Sequence, residues 1–225
     1  MKKEELRYEK KIVLKNIYYD QFLNLINNIR IGFRKSYSKR LINNIYFDDL
    51  DFNSFFENLD GLADRKKIRV RWYGDCFGLI NSNLEFKCKI GNVGYKEIYR
   101  NINFEINNRI KLKELNKKIL NKIEDEYLKL KLISYQPTLF NRYEREYYES
   151  LERNIRITID KDIYSKRLFP NTKISYKSKD RSDIVIAELK FDNLLDLNLV
   201  NKLLDFKFSI SKHSKYVYGL TNTYL

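Results

Sequence analysis

The 225-residue sequence carries 44 Lys and Arg against 30 Asp and Glu, a formal net charge of +14, with 43% hydrophobic and 15% aromatic residues. That apolar content supports one folded core and excludes a wholly disordered chain, while the charge favours a polyanionic partner such as nucleic acid, an anionic membrane or a phosphate-rich small molecule. Two cysteines without a CxxC spacing point to neither a disulfide scaffold nor a zinc site, and one histidine, His213, leaves little scope for His-based catalysis.

In chain order, the start MKKEELRYEKK has no apolar signal-peptide core, and no later run reaches bilayer-spanning length, so a cytoplasmic protein is expected. Residues 6–14 alternate as a strand, with Arg7, Glu9 and Lys11 on one face and Tyr8, Ile12 and Leu14 on the other. A helical stripe of Phe22, Leu25, Ile26 and Ile29 follows over 18–29, then a strand over 41–49 and a helix over 51–59 opened by an Asp N-cap. RKKIRVRWYG, 65–74, alternates cleanly: Lys67, Arg69, Arg71 and Tyr73 face one way, Ile68, Val70 and Trp72 the other. LEFKCKI, 84–90, sets Glu85, Lys87 and Lys89 against Leu84, Phe86, Cys88 and Ile90. A strand over 94–102 precedes a long charged helix over 107–133, and strands follow at 139–148, 155–160 and 182–191. In IRITID, 155–160, Arg156, Thr158 and Asp160 oppose three isoleucines. A last helix is expected over 193–204.

Eight short-linked strands with few helices indicate an α+β fold built on an antiparallel sheet or barrel. For any single strand the charged face is ordinarily a solvated one. Four clean faces, however, carry eight cations (Arg7, Lys11, Lys67, Arg69, Arg71, Lys87, Lys89 and Arg156) against only Glu9, Glu85 and Asp160. So many like charges side by side repel unless an anion neutralises them. The expectation is therefore an eight-stranded antiparallel β-barrel with its charged face inward, forming a tunnel, and its apolar face outward beneath helices. The aromatic residues lie mainly opposite the cations rather than among them, which argues against a nucleic-acid stacking platform.

The motifs RYEKK, NIYFDD, KIRVRWYG, LEFKCK, YKE, RYEREYYE, NIRITID, AELKFD and SISKHSKYVYGL stand in this order across nearly the whole chain. Together they resemble the VTC domain, the polyphosphate polymerase domain of the triphosphate tunnel metalloenzyme superfamily, spanning 1–225 as a single domain. The resemblance implies a metal-dependent transfer of the ATP γ-phosphate to a growing polyphosphate chain. It implies ATP, inorganic phosphate, pyrophosphate and polyphosphate as partners, and Mn2+ or Mg2+ as cofactor. Lys11 matches the lysine ending the first-strand motif, Arg69 and Arg71 the paired arginines of the KxRxR strand, and Lys87 and Lys96 the basic residues that follow. Arg145 and Arg156 match two phosphate-binding arginines, and Lys212, Ser214 and Lys215 a C-terminal phosphate-gripping segment. Glu188 matches the metal-binding glutamate, with Glu9 and Glu85 as secondary metal or water-positioning carboxylates.

Arg7 stands where many tunnel triphosphatases carry a glutamate, which favours the polymerase-like branch over the CYTH-type hydrolases. Competing readings remain: a tunnel triphosphatase, in which water replaces the phosphate acceptor, and a non-catalytic polyanion-binding module. Arg69 and Arg71 could instead simply pair with Glu9 and Glu85, Glu188 could form a structural ion pair, and Ser214 could be a plain helix cap. A membrane-protein partner, as in the fungal complex of this family, is left open.

Overall fold

The alternation of RKKIRVRWY is realised as a strand whose Ile68, Val70 and Trp72 are 2%, 0% and 1% exposed. The structure, a computed structural model, describes residues 8–29, 31–91, 93–170, 173–176, 180–191 and 210–223. Its elements are β1 (Tyr8–Lys15), α1 (Tyr19–Asn28), β2 (Phe33–Asp48), α2 (Asn53–Leu59), β3 (Arg65–Tyr73), β4 (Gly78–Ile90) and β5 (Val93–Ile106). They continue with α3 (Leu112–Leu120), α4 (Glu126–Leu132), β6 (Gln136–Ser150), β7 (Ile155–Arg167), β8 (Ile184–Phe191) and α5 (Lys215–Thr221). The expected Arg7 position and the helix over 193–204 lie outside the described residues.

The strands form one eight-stranded antiparallel sheet in the order β1-β8-β7-β6-β2-β3-β4-β5. The expected closed barrel is not what forms: β1 and β5 end the order, and among the described residues no ladder joins them. Alternation fixes which face each residue takes, but closure depends on strand tilt and stagger, which a period-two pattern does not encode. The electrostatic reason for closure is also weaker than the residue count suggested, because Glu85, Asp160 and the Glu9–Glu188 pair each hold cations within the sheet.

The chain divides into two compact units, each made of separate segments. The first comprises Met1–Arg40, Tyr143–Ile163 and Arg181–His213. Its core joins Ile12 and Leu14 of β1, Phe22 and Ile26 of α1, Ile155, Ile157 and Ile159 of β7, and alternate residues of β8. The second comprises Leu41–Arg142, Tyr164–Asp180 and Ser214–Leu225. Its main core sets the apolar faces of β3, β4 and β5 against Leu112, Leu115 and Ile119 of α3 and Leu128 and Leu132 of α4. Each fully buried side chain of this size contributes about 1.5–3 kcal/mol. The apolar face of RKKIRVRWY therefore does lie beneath helices.

Two elements depart from their expected form. The single helix over 107–133 is two: β5 runs on to Ile106 with Ile102, Phe104 and Ile106 buried, and α3 and α4 are separate. Asp125 starts α4 as its N-cap, accepting a hydrogen bond from Leu128 N at 3.1 Å, so charge spacing that looked continuous hid a cap. In α2 the expected Asp51 cap is replaced by Asp48, the last residue of β2, and Asp49 just after it. Phe52 takes a left-handed φ of 56°, turning the chain back so that Asp49 accepts from Asn53 N and Asp48 accepts from Ser54 N and Phe55 N, all at 2.9 Å.

Asp48 is fully buried and also accepts from Tyr216 Oη of α5, whose ring stacks on Tyr46 with centroids 5.1 Å apart. Asp48→Ala leaves the Ser54 and Phe55 N–H groups without that acceptor and the Tyr216 hydroxyl with Thr138 Oγ1 as its remaining partner. The expected cost is about 2–4 kcal/mol in denaturant unfolding, and a cost under 0.5 kcal/mol would show that the cap and the Tyr216 contact are dispensable.

Candidate functional site

The cross-strand register assembles the charged face of the second unit. Arg69 lies opposite Glu85, Arg71 opposite Asn83 and Asn44, and Tyr46 opposite Arg69. Lys67, Lys87 and Lys96 form one row over three adjacent strands. Glu85, with a side chain only 5% exposed, is the hub. Its Oε2 accepts from Arg69 Nε at 2.7 Å and lies 3.8 Å from Arg71 Nη1, and its Oε1 accepts from Lys96 Nζ at 3.0 Å. Burial alone would raise the Glu85 pKa, but Arg69, Arg71 and Lys96 outweigh it and bring it down to about 2. Lys96 responds in the opposite sense. Its burial, reinforced by the two guanidiniums, lowers its pKa despite the pull of Glu85. One carboxylate shared by three cations leaves the group with a local excess of positive charge.

Two buried asparagines that composition alone gave no reason to single out hold Arg71 in place. Asn44 Oδ1 accepts from Arg71 Nε at 2.9 Å, and Asn44 Nδ2 donates to Asn141 Oδ1 at 3.4 Å. Asn141 in turn donates to Tyr164 O and Ser165 Oγ, both at 3.0 Å. The signal was present in LINNIYFD, where carboxamides interrupt an otherwise apolar strand, and a fully buried amide must find partners. A cleft of about 1000 Å³ opens beside this face, lined by Arg71, Asn83, Glu85, Lys96 and Arg100 among others.

The first unit carries its own charged face. In register, Lys11 lies opposite Glu188, which lies opposite Thr158, and Glu9 opposite Lys190, which lies opposite Arg156. Lys11 Nζ is 2.7 Å from Glu9 and 3.9 Å from Glu188, and also donates to His213 O at 3.4 Å. Glu188 pairs with Lys190 at 3.0 Å. Arg145 forks onto the buried Asp160, Nε and Nη2 reaching its two oxygens at 2.5 and 2.7 Å, which leaves Nη1 outside the fork. Burial disfavours the Arg145 charge, yet Asp160 outweighs it and holds its pKa well above the ordinary value.

Other expected residues sit apart from these groups. The Arg156 side chain is 53% exposed and lies 3.8 Å from Glu149. Lys212 is exposed on the segment beside β1, which is tied there by Ser211 N donating to Lys11 O. Ser214 caps α5, accepting from Val217 N at 3.4 Å, and Lys215 begins that helix. Arg69 and Arg71 do pair with Glu85, as the plainer reading had it, whereas Glu9 belongs to Lys11.

Among the described residues no three His, Cys, Asp or Glu side chains gather into a metal-binding group. The oxygen donors present are Glu188, Glu9 and the Thr158 hydroxyl, which is buried without a hydrogen-bond partner opposite Glu188. This small set suits a hard divalent ion that completes its shell with water and substrate phosphate oxygens, not one caged by protein alone.

The same fold recurs in solved structures. The PH1819 protein of Pyrococcus horikoshii matches with a TM-score of 0.53 at 13% identity, covering 96% of this chain and 99% of its own. A Vibrio parahaemolyticus protein described as an adenylate cyclase matches at 0.52 and 14%, covering 97% and 99%. A Hippeastrum protein reported to have a dominant triphosphatase activity matches at 0.53 and 14%, covering 98% of each chain. These likenesses define the class, an eight-stranded antiparallel sheet with helices. The chain belongs to the VTC domain family, whose model matches residues 5–224. No curated protein matches the sequence. Among the described residues no helix is long and apolar enough to cross a membrane.

Proposed function

We propose that this protein is a metal-dependent polyphosphate polymerase of the triphosphate tunnel superfamily. A terminal phosphate oxygen of the acceptor attacks the γ-phosphorus of ATP, the bond to the β–γ bridging oxygen breaks, and ADP leaves as the chain grows by one phosphate. The observation that carries this reading is the Glu85 hub, where Arg69, Arg71 and Lys96 share one buried carboxylate. Phosphoryl transfer needs little covalent help from protein, because positioned cations stabilise the charge on the transferring group. From Lys67 to Arg71 the cations of β3 span about 13 Å along the strand, longer than the phosphorus chain of a triphosphate. That length and the VTC family favour a polymer over a compact substrate.

Lys11, Lys87, Arg145 and Arg156 are proposed as further phosphate contacts, and Lys212, Ser214 and Lys215 as substrate-binding residues. A divalent ion, held by Glu188 and Glu9 with phosphate oxygens, would neutralise charge on the triphosphate of ATP and make its γ-phosphorus more electrophilic. Glu188→Gln is expected to raise the Mn2+ concentration for half-maximal turnover about tenfold, with ATP affinity little changed. An unchanged metal titration removes Glu188 from this role.

The second reading is a triphosphatase, favoured by the activity reported for the Hippeastrum protein of the same fold. Purified protein with ATP and Mn2+ or Mg2+ separates the readings. Long polyphosphate on a gel supports the polymerase, whereas orthophosphate without polymer supports the hydrolase. Polyphosphate binding without turnover leaves only a binding module.

A further inference from the structure

Strand β5 does not run evenly against β4. Ser82 faces Ile102 but Leu84 faces Tyr99, so two steps on β4 are met by three on β5. The extra residue changes the parity of the strand. Tyr99 and Ile102 both turn to the apolar core, and Arg100 and Asn101, consecutive in sequence, both line the cleft. Asn101 takes the left-handed φ of 62° that this bulge requires, a conformation asparagine tolerates better than most residues. Without the bulge the continuing alternation would carry Ile102, Phe104 and Ile106 off the core face.

Arg100 is exposed and shares the cleft with Arg71, Glu85 and Lys96. Among the described residues no carboxylate or carbonyl accepts a hydrogen bond from it, although Glu85 lines the same cleft and is already committed to three cations. Its guanidinium therefore stands at a cationic cleft with its fork of donors available to an anion.

We propose that Arg100, which alternation from Lys96 and Ile98 sets on the charged face of β5 just before the bulge, binds a phosphate group of the polyanionic substrate in this cleft. The proposal rests on the phosphate-binding reading of the site and adds a contact that the sequence motifs did not mark. Titration calorimetry on the full chain, with inorganic triphosphate and with long-chain polyphosphate as probes, tests it. Arg100→Ala and Arg100→Gln are expected to weaken binding about tenfold or more, the loss of one charge-assisted contact. Arg100→Lys should fall between, since it keeps the charge and loses the fork. Lys113→Ala, which removes an exposed charge on α3 away from the cleft lining, should bind as wild type does. If wild type binds and both neutral Arg100 variants stay within twofold of it, this contact is wrong while the site stands. If wild type binds neither probe, the site reading and the contact fall together.

Discussion

Glu85→Gln is expected to lower the melting temperature by roughly 6–12 °C at pH 7, about 3 kcal/mol for a chain of this size. The substitution keeps the shape of the side chain and removes its charge, so Arg69, Arg71 and Lys96 lose the carboxylate they share. Breaking one side of a buried ion cluster costs more than the pair is worth intact, because the remaining charges stay desolvated and repel one another. Acid titration of the wild type reports the same group. Glu85 is held at about 2 against 4.5 for an unperturbed glutamate, so its folded-state pKa is depressed. Its contribution is then complete above about pH 4.5 and is lost as pH falls towards 2, a difference of about 3 kcal/mol. Glu85→Gln should lack that part of the acid slope. Added inorganic triphosphate should raise the melting temperature of Glu85→Gln more than that of wild type, because an anion then supplies the missing charge. A variant that melts within 2 °C of wild type, with an unchanged acid slope, would show that Glu85 does not organise this face.

Arg71→Ala is expected to reduce phosphate transfer at least a hundredfold while leaving a folded protein. Arg69 is tied to Glu85 through both Nε and Nη2 at 2.7 Å, whereas Arg71 approaches the same carboxylate only to 3.8 Å. Asn44 orients the Arg71 Nε edge, leaving the rest of the guanidinium directed at the cleft it lines. Arg71 is thus the better phosphate grip, and Arg69 the better brace. A preorganised donor of this kind is worth about 2.7–4 kcal/mol at the transition state. The stability cost should be smaller, about 1–2 kcal/mol, from the Asn44 oxygen left without its donor. Arg71→Lys should recover little, because an ammonium cannot reproduce the fork. Asn44→Ala should lower kcat through the loosened Arg71 without abolishing it. Steady-state assays of both variants check this, and full activity of Arg71→Ala would contradict the site.

Both expectations concern residues whose side of the sheet was legible from RKKIRVRWYG and LEFKCKI. What could not be read there was the identity of each partner. Glu85 looked like one of three minor carboxylates, yet register places it opposite Arg69 and within reach of Lys96 on the next strand. Asn44 and Asn141 lie 97 positions apart, and their contact depends on β2 and β6 being neighbours in the sheet. The expected helix over 107–133 failed for a local reason, since periodicity outweighed the capping residue Asp125 inside it. Barrel closure failed for a global one, because nothing in an alternating pattern counts strands or sets their stagger.

The sequence by itself determined the face of every clean strand and the family. Side-chain alternation is a property of residues two apart, and the ordered motifs survive in the linear chain. Tertiary structure decided the rest: the three cations that share Glu85, the amides that hold Arg71, and the bulge that sets Asn101 beside Arg100 in the cleft and returns Ile102 to the core. Each of these depends on which strands lie side by side and in what register, and pairing between distant segments is fixed only when the sheet forms.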